Sequence, residues 1–103
     1  PGVVMLRLLK VSGTSLYPGY EEGDFVIVSK IPFFFAPVKP GDVVAFRQPG
    51  YGTLIKLVEA FDQKSGELIV TGTQPDSVDS RVFGPVRRTD LVGKVIWHVS
   101  KPK

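Results

Sequence analysis

Short apolar runs alternate along the whole chain with polar breaks rich in glycine and proline. The runs cover residues 3–11, 24–30, 42–47, 53–61, 67–71 and 91–99, and they are rich in β-branched and aromatic side chains. Each has the length of a β-strand. Turn signals separate them: Pro18-Gly19, Lys39-Pro40-Gly41, Gln48-Pro49-Gly50, Lys64-Ser65-Gly66 and Gln74-Pro75-Asp76. Regular short strands with such punctuation predict an all-β fold, a sandwich or a barrel. No stretch carries a convincing helical period, and residues 88–92 suffice for a single turn. With no repeat, low-complexity tail or internal boundary, residues 1–103 read as one domain.

Two places break the pattern. In IPFFFAPV, residues 31–38, three consecutive phenylalanines lie between two prolines. A strand buried on both faces could hold Phe33, Phe34 and Phe35, but the prolines favour a loop or an edge. The segment reads either as a loop covering the core or as an exposed patch touching a membrane or an apolar substrate. The second break is Lys56 in TLIKLVEAF. Alternation in a strand puts it on the face of Leu54 and Val58, where core residues are expected. A lysine is seldom buried without a partner or a function, and desolvation lowers its pKa toward that of a general base. The alternative is an edge-strand lysine whose ammonium snorkels to water.

Composition narrows the chemistry. The chain has 103 residues, 43% of them hydrophobic, enough for a compact but moderately stable core. The formal charge is +3 and the sequence pI is about 9.4, but Lys and Arg are scattered, so no nucleic-acid footprint stands out. The lack of cysteine excludes disulfides, thiolate metal sites and a cysteine nucleophile. A single histidine, His98, excludes any site needing two, and its apolar strand gives it a structural reading. No apolar run reaches the roughly 18 residues of a membrane span, and no complete signal peptide is visible. Pro1 to Val4 read either as residues ahead of a start at Met5 or as the trimmed end of a longer chain.

Two polar stretches could carry a reaction. VSGTSLYPGYEEGD, residues 11–24, presents Ser15 in a turn. A serine hydroxyl is a weak nucleophile unless a base takes its proton. With His98 set aside, a Ser-Lys pair is the remaining known solution. Gly13 lets backbone pass close to a substrate, and the turn's N–H groups could stabilise an oxyanion. TGTQPDSVDSRVFGPV, residues 71–86, gathers Asp76, Ser77, Asp79, Ser80 and Arg81. It reads as an Asx-rich loop, in which Asp79 and Arg81 could pair and Ser77 could orient a neighbour.

Together the stretches resemble the catalytic domain of the type I signal peptidase family of Ser-Lys proteases. The first motif of that family, Gly-x-Ser-Met-x-Pro followed by Gly-Asp, is matched by Gly13-Thr14-Ser15-Leu16-Tyr17-Pro18 and Gly23-Asp24. Gly41-Asp42-Val43-Val44-Ala45-Phe46 matches the second, and Ile55-Lys56-Leu57-Val58 the lysine motif. Gly72-Thr73-Gln74 and then Ser77-Val78-Asp79-Ser80-Arg81-Val82-Phe83-Gly84 match the last box, and Val92-Gly93-Lys94-Val95 fits the close. The likeness spans about residues 9 to 96. The self-cleaving repressor proteases are similar around the serine and lysine but lack the last box.

The resemblance implies a mostly β fold of two antiparallel sheets with a partly barrel-like core. It implies Ser15 as nucleophile, its N–H in the oxyanion hole, Lys56 as general base, and Ser77 as the hydroxyl that orients the lysine. Asp79 and Arg81, with Ser80 between them, would brace the site, and Gly13, Leu16 and Pro18 would lie along the substrate. The expected reaction is cleavage after small residues to release an N-terminal leader, with no cofactor, no metal and no nucleic-acid partner. Leu16 replaces the usual Met, Leu57 an Arg, and Thr73-Gln74 an Asp-Asn pair. Typical members carry a membrane anchor and work outside the cytoplasm. Short soluble relatives include proteases that trim the leader of nickel-type superoxide dismutase inside the cell. Localisation is thus expected at a membrane if an anchor was trimmed, with Phe33, Phe34 and Phe35 as the membrane contact, and in the cytoplasm otherwise. The competing readings are an inactive peptide-binding module on the same scaffold and an unrelated small β-barrel that binds nucleic acid.

Overall fold

The computed structural model describes residues 6–13 and 16–102. Seven strands build one sheet: β1 (Leu6–Lys10), β2 (Phe25–Ser29), β3 (Val43–Gln48), β4 (Gly52–Asp62), β5 (Glu67–Thr71), β6 (Val86–Arg87) and β7 (Leu91–Val99). Their order across the sheet is β1-β2-β7-β3-β4-β5-β6, and every neighbouring pair is antiparallel. The all-β expectation is met. The expected pair of sheets is one continuous sheet, left open with β1 and β6 as its edges. The two-residue β6 was too short to carry a pattern of its own.

The hairpin from β3 to β4 turns through Gln48-Pro49-Gly50-Tyr51, with the Tyr51 N–H bonded to the Gln48 carbonyl at 3.0 Å. Gly50 and Gly52 stand at φ 84° and 79°, values that a side chain would oppose. Register shifts at Ile27/Val28, Ala45/Phe46 and Val58/Ala60 bend the sheet. The bent sheet buries residues on both faces. On one side Val44 and Phe46 of β3 pack with Val58, Leu68, Val70 and Leu91. On the other, Ala45 packs with Val11, Val26 and Val28. Beyond the second core, the row Leu8–Ile27–Trp97 crosses β1, β2 and β7 on the outer face. Leu8 and Trp97 are exposed there.

The IPFFFAPV segment is neither strand nor irregular loop. Ile31–Phe34 forms a 3-10 helix with Pro32 in its first turn, where a missing N–H costs nothing. Phe33 turns inward onto the first core, while Phe34 and Phe35 remain exposed. A second helical element escaped the sequence: α1 (Ser80–Phe83) is one turn capped by Asp79, whose side chain accepts from the Arg81 N–H. Residues 88–92 supply the single turn expected there, a 3-10 helix at Arg88–Asp90. No helix among the described residues is long and apolar enough to cross a membrane.

Candidate active site

Lys56 sits in the middle of β4, between β3 and β5, so no sheet edge is available to it. Its cross-strand neighbour is Val44, and Leu54 and Val58 flank it on the same face. The residue is 4% exposed. The snorkelling alternative is therefore overturned by a central strand with a core on that face. Burial pushes the ammonium pKa below the ordinary lysine range; the negative Asp79 works against that shift and the positive Arg81 with it.

Asp79 organises the polar loop. Its carboxylate is fully buried and takes two hydrogen bonds from the Arg81 guanidinium, from Nε at 2.9 Å and from Nη2 at 2.8 Å. It also accepts from the Ser77 hydroxyl at 2.8 Å and from the N–H groups of Gly72 at 2.9 Å and Arg81 at 3.0 Å. Donation by Arg81 is the largest cause holding its carboxyl far below the usual range. So many donors on one carboxylate keep it charged without water. The Ser77 oxygen in turn accepts from Arg81 Nη2 at 3.0 Å. Among the described residues the Ser77 hydroxyl bonds to this pair, and no hydrogen bond joins it to Lys56. Ser80 Oγ accepts the Val70 N–H at 2.9 Å and seats α1 on β5.

Thr14 and Ser15 lie outside the described residues; their flanks are defined. The base of the turn closes through Val11 N–H to the Asp24 carbonyl at 2.7 Å and Gly23 N–H to the Val11 carbonyl at 2.9 Å. Gly13 takes φ 78° and donates to Glu22 Oε1 at 3.3 Å. Leu16 is buried, and Tyr17 and Pro18 are exposed. The Tyr17 carbonyl accepts from Thr73 Oγ1 at 2.7 Å and from Gln74 Nε2 at 2.6 Å. Thr73-Gln74, which replaces the Asp-Asn pair of the resembled family, thus joins the last loop to the serine turn.

A cavity of about 300 Å³ opens beside Lys56, and Gly13 and Leu16 line it with the neighbouring β4 residues Thr53, Leu54 and Ile55. It brings together Lys56, Gly13 and Leu16 from the sequence-derived set; Pro18, Ser77, Asp79, Ser80 and Arg81 stand outside its lining. Tyr51 is a wall residue that the sequence did not signal, because a turn tyrosine carries no motif. Also missed was the anchor under the serine turn. Asp24 accepts from the N–H groups of Glu21 at 3.0 Å and Lys101 at 2.9 Å, and meets His98 Nε2 at 2.7 Å. The Lys101 and Glu21 N–H groups, with His98, draw its pKa down to about 2. Tyr20 stacks on His98 at 4.4 Å, giving that histidine a structural place.

The sequence matches the Peptidase S24-like family over residues 5–96. It is also similar to signal peptidase I V of Bacillus subtilis, with 34% identity over 70 residues. That alignment takes in 63% of this chain and 42% of the relative, so the chain spans less than half the relative's length.

Proposed function

Because the chain belongs to the Peptidase S24-like family, we propose that it is a serine endopeptidase in which Ser15 attacks and Lys56 takes the proton. The observation that carries this reading is the buried Lys56, its pKa lowered by desolvation, in the wall of a cavity shared with Gly13 and Leu16. A neutral Nζ accepts the Ser15 proton as Oγ bonds to the scissile carbonyl carbon. The resulting ammonium returns the proton to the leaving amine as the C–N bond breaks. Lys56 then deprotonates a water, which releases the acyl group and regenerates the serine. The backbone N–H of Ser15 stabilises the oxyanion. Asp79, held ionised by Arg81, steadies the transient ammonium without pairing with it permanently.

The substrate is a peptide with small side chains before the cut, in keeping with a cavity of about 300 Å³ that Leu16 and Tyr51 help to line, and the product is a shortened N-terminus. Membrane contact is assigned to Phe34 and Phe35, which are exposed beside the inward Phe33. Binding of the protein to anionic vesicles, lost on replacing Phe34 and Phe35 by Ser, supports that contact; undiminished binding removes it. The test of the chemistry is digestion of a peptide library, with and without detergent, beside Ser15→Ala and Lys56→Met. Cleavage after small residues that both variants lose supports the dyad. Activity surviving Lys56→Met refutes it, and saturable binding without turnover identifies a peptide-binding module instead.

A further inference from the structure

Two side chains of the last loop converge on a single atom of the serine turn. Thr73 Oγ1 and Gln74 Nε2 both donate to the Tyr17 carbonyl, two residues after Ser15. A carbonyl oxygen has two lone pairs, and these donors occupy both. The same loop is fastened from behind. The Gln74 carbonyl accepts from Arg81 Nη2 at 3.3 Å and from the Ser77 N–H at 3.2 Å. Asp79 holds Arg81 and also the Gly72 N–H at the start of the loop. A continuous line of polar contacts therefore runs from the Asp79–Arg81 pair through Gln74 to the serine turn.

The contacts are out of proportion to any need of the cores. Thr73 and Tyr17 are exposed, and neither core includes Thr73, Gln74 or Tyr17. Exposed neutral hydrogen bonds add little to folding. They can still fix a loop: among the described residues the other ties of the turn lie mainly toward its base, around Val11, Gly13, Gly23 and Asp24. Leu16 anchors one side of the turn in the protein, and the Tyr17 carbonyl is held on the other.

We propose that Gln74, assisted by Thr73, is a positioning residue that latches the Ser15 turn to the Asp79–Arg81 pair and so sets the nucleophile against Lys56. The inference rests on the reading of Ser15 as nucleophile for its catalytic half, and on geometry alone for the latch. A misplacement of about 1 Å at a reacting centre costs on the order of 100-fold in rate. The latch therefore acts on kcat, while the cavity that holds substrate is left intact.

The experiment compares the wild-type chain with Gln74→Met, which keeps the length and removes the donor, and with the same change combined with Thr73→Val. Hydrogen–deuterium exchange of the peptide spanning residues 12–23 is read beside that of β4, together with steady-state cleavage of a library-selected peptide against pH. Exchange in residues 12–23 is expected to quicken at least 10-fold with β4 unchanged. The plateau kcat is expected to fall roughly 10- to 100-fold, with KM within about threefold and the acidic limb unmoved, because Lys56 and Asp79 are untouched. Unchanged exchange in residues 12–23 overturns the latch. Faster exchange with an unaltered kcat overturns its positioning role, and a displaced acidic limb assigns the effect to the lysine instead. If the wild-type chain cleaves nothing while exchange quickens, the peptidase reading fails and the latch itself is supported.

Discussion

Replacing Lys56 by Met separates the chemistry of the site from its structural cost. The buried lysine stands opposite Val44 and shares a face of β4 with Leu54 and Val58, and Met fills nearly the same volume without an ammonium. Above about pH 10.4 the lysine is neutral in both the folded and the unfolded chain, so the two proteins differ only by packing. Below that pH the unfolded lysine takes up a proton while the folded one, its pKa lowered by burial, does not. The unfolded wild-type chain then binds more protons than the folded one, so wild-type stability falls with falling pH relative to the variant. The slope is about 1.4 kcal/mol per pH unit, continuing down to the folded-state pKa and flat below it. For a domain of this size 1 kcal/mol moves Tm by roughly 4–8 °C. Thermal melts of the two proteins between pH 6 and 10.5 should therefore show a Tm advantage for Lys56→Met that widens by about 5–10 °C per unit as pH falls, then levels. The break marks the lysine pKa and should coincide with the acidic limb of the cleavage profile. A Tm difference that stays constant up to pH 10 would mean that Lys56 remains an ordinary cation in the fold, and the base assignment would be refuted.

Asp79→Asn leaves one oxygen to face donors from Arg81, Ser77 and Gly72, and it should lower stability by about 2–4 kcal/mol, measured by urea melts; a loss below about 0.5 kcal/mol would contradict the hub role. In wild-type protein, depressed folded-state pKa values at Asp24 and Asp79 mean that stability present above about pH 4 is lost as pH falls toward and through about 2 for Asp24 and lower for Asp79. Acid titration of Asp79→Asn should accordingly show a shallower decline, and an identical slope would remove Asp79 from the acid response. Gly93→Ala would place a Cβ 2.9 Å from the N, C and O atoms of Ser29, forcing β2 and β7 apart. A loss of at least about 1–3 kcal/mol is expected, as for overpacked cores; an unchanged Tm would show that the strands yield freely.

The strands were legible as short runs rich in β-branched and aromatic residues, set apart by glycine and proline turn signals. In β3 the run Val43-Val44-Ala45-Phe46 is apolar without a break because both faces are covered, and only the structure divides it, with Val44 and Phe46 in one core and Ala45 in the other. β6 and α1 were illegible because two and four residues cannot display a period, and both are held by contacts from elsewhere. The helical turn at Ile31–Phe34 was hidden by three adjacent phenylalanines, which mimic a buried strand while only Phe33 goes inside. Lys56 was conspicuous as a charge in an apolar run, yet whether it lay at an edge depended on strand order, which hairpin signals do not fix. The Asp24–His98–Tyr20 anchor joins positions more than 70 residues apart in sequence, and no local pattern announces such a pair.

The two halves of the site are supported in different ways, and the difference follows from what each half must do. Lys56 needs a dry, rigid environment to hold its pKa down, and a central strand with neighbours on both sides supplies it. In the proposed reaction the serine turn must bring its backbone near the substrate, so a core cannot cover it. Its position is therefore set by polar ties: the Asp24 anchor at the base and the Gln74–Tyr17 latch near the apex. Asp79 links the halves, acting on Lys56 through charge and on the turn through Arg81 and Gln74. On the proposed mechanism a change at Asp79 should therefore disturb both the protonation of Lys56 and the placement of Ser15, whereas changes at Gln74 or Lys56 each disturb one. The pH profile and the loop exchange rate together distinguish the three positions.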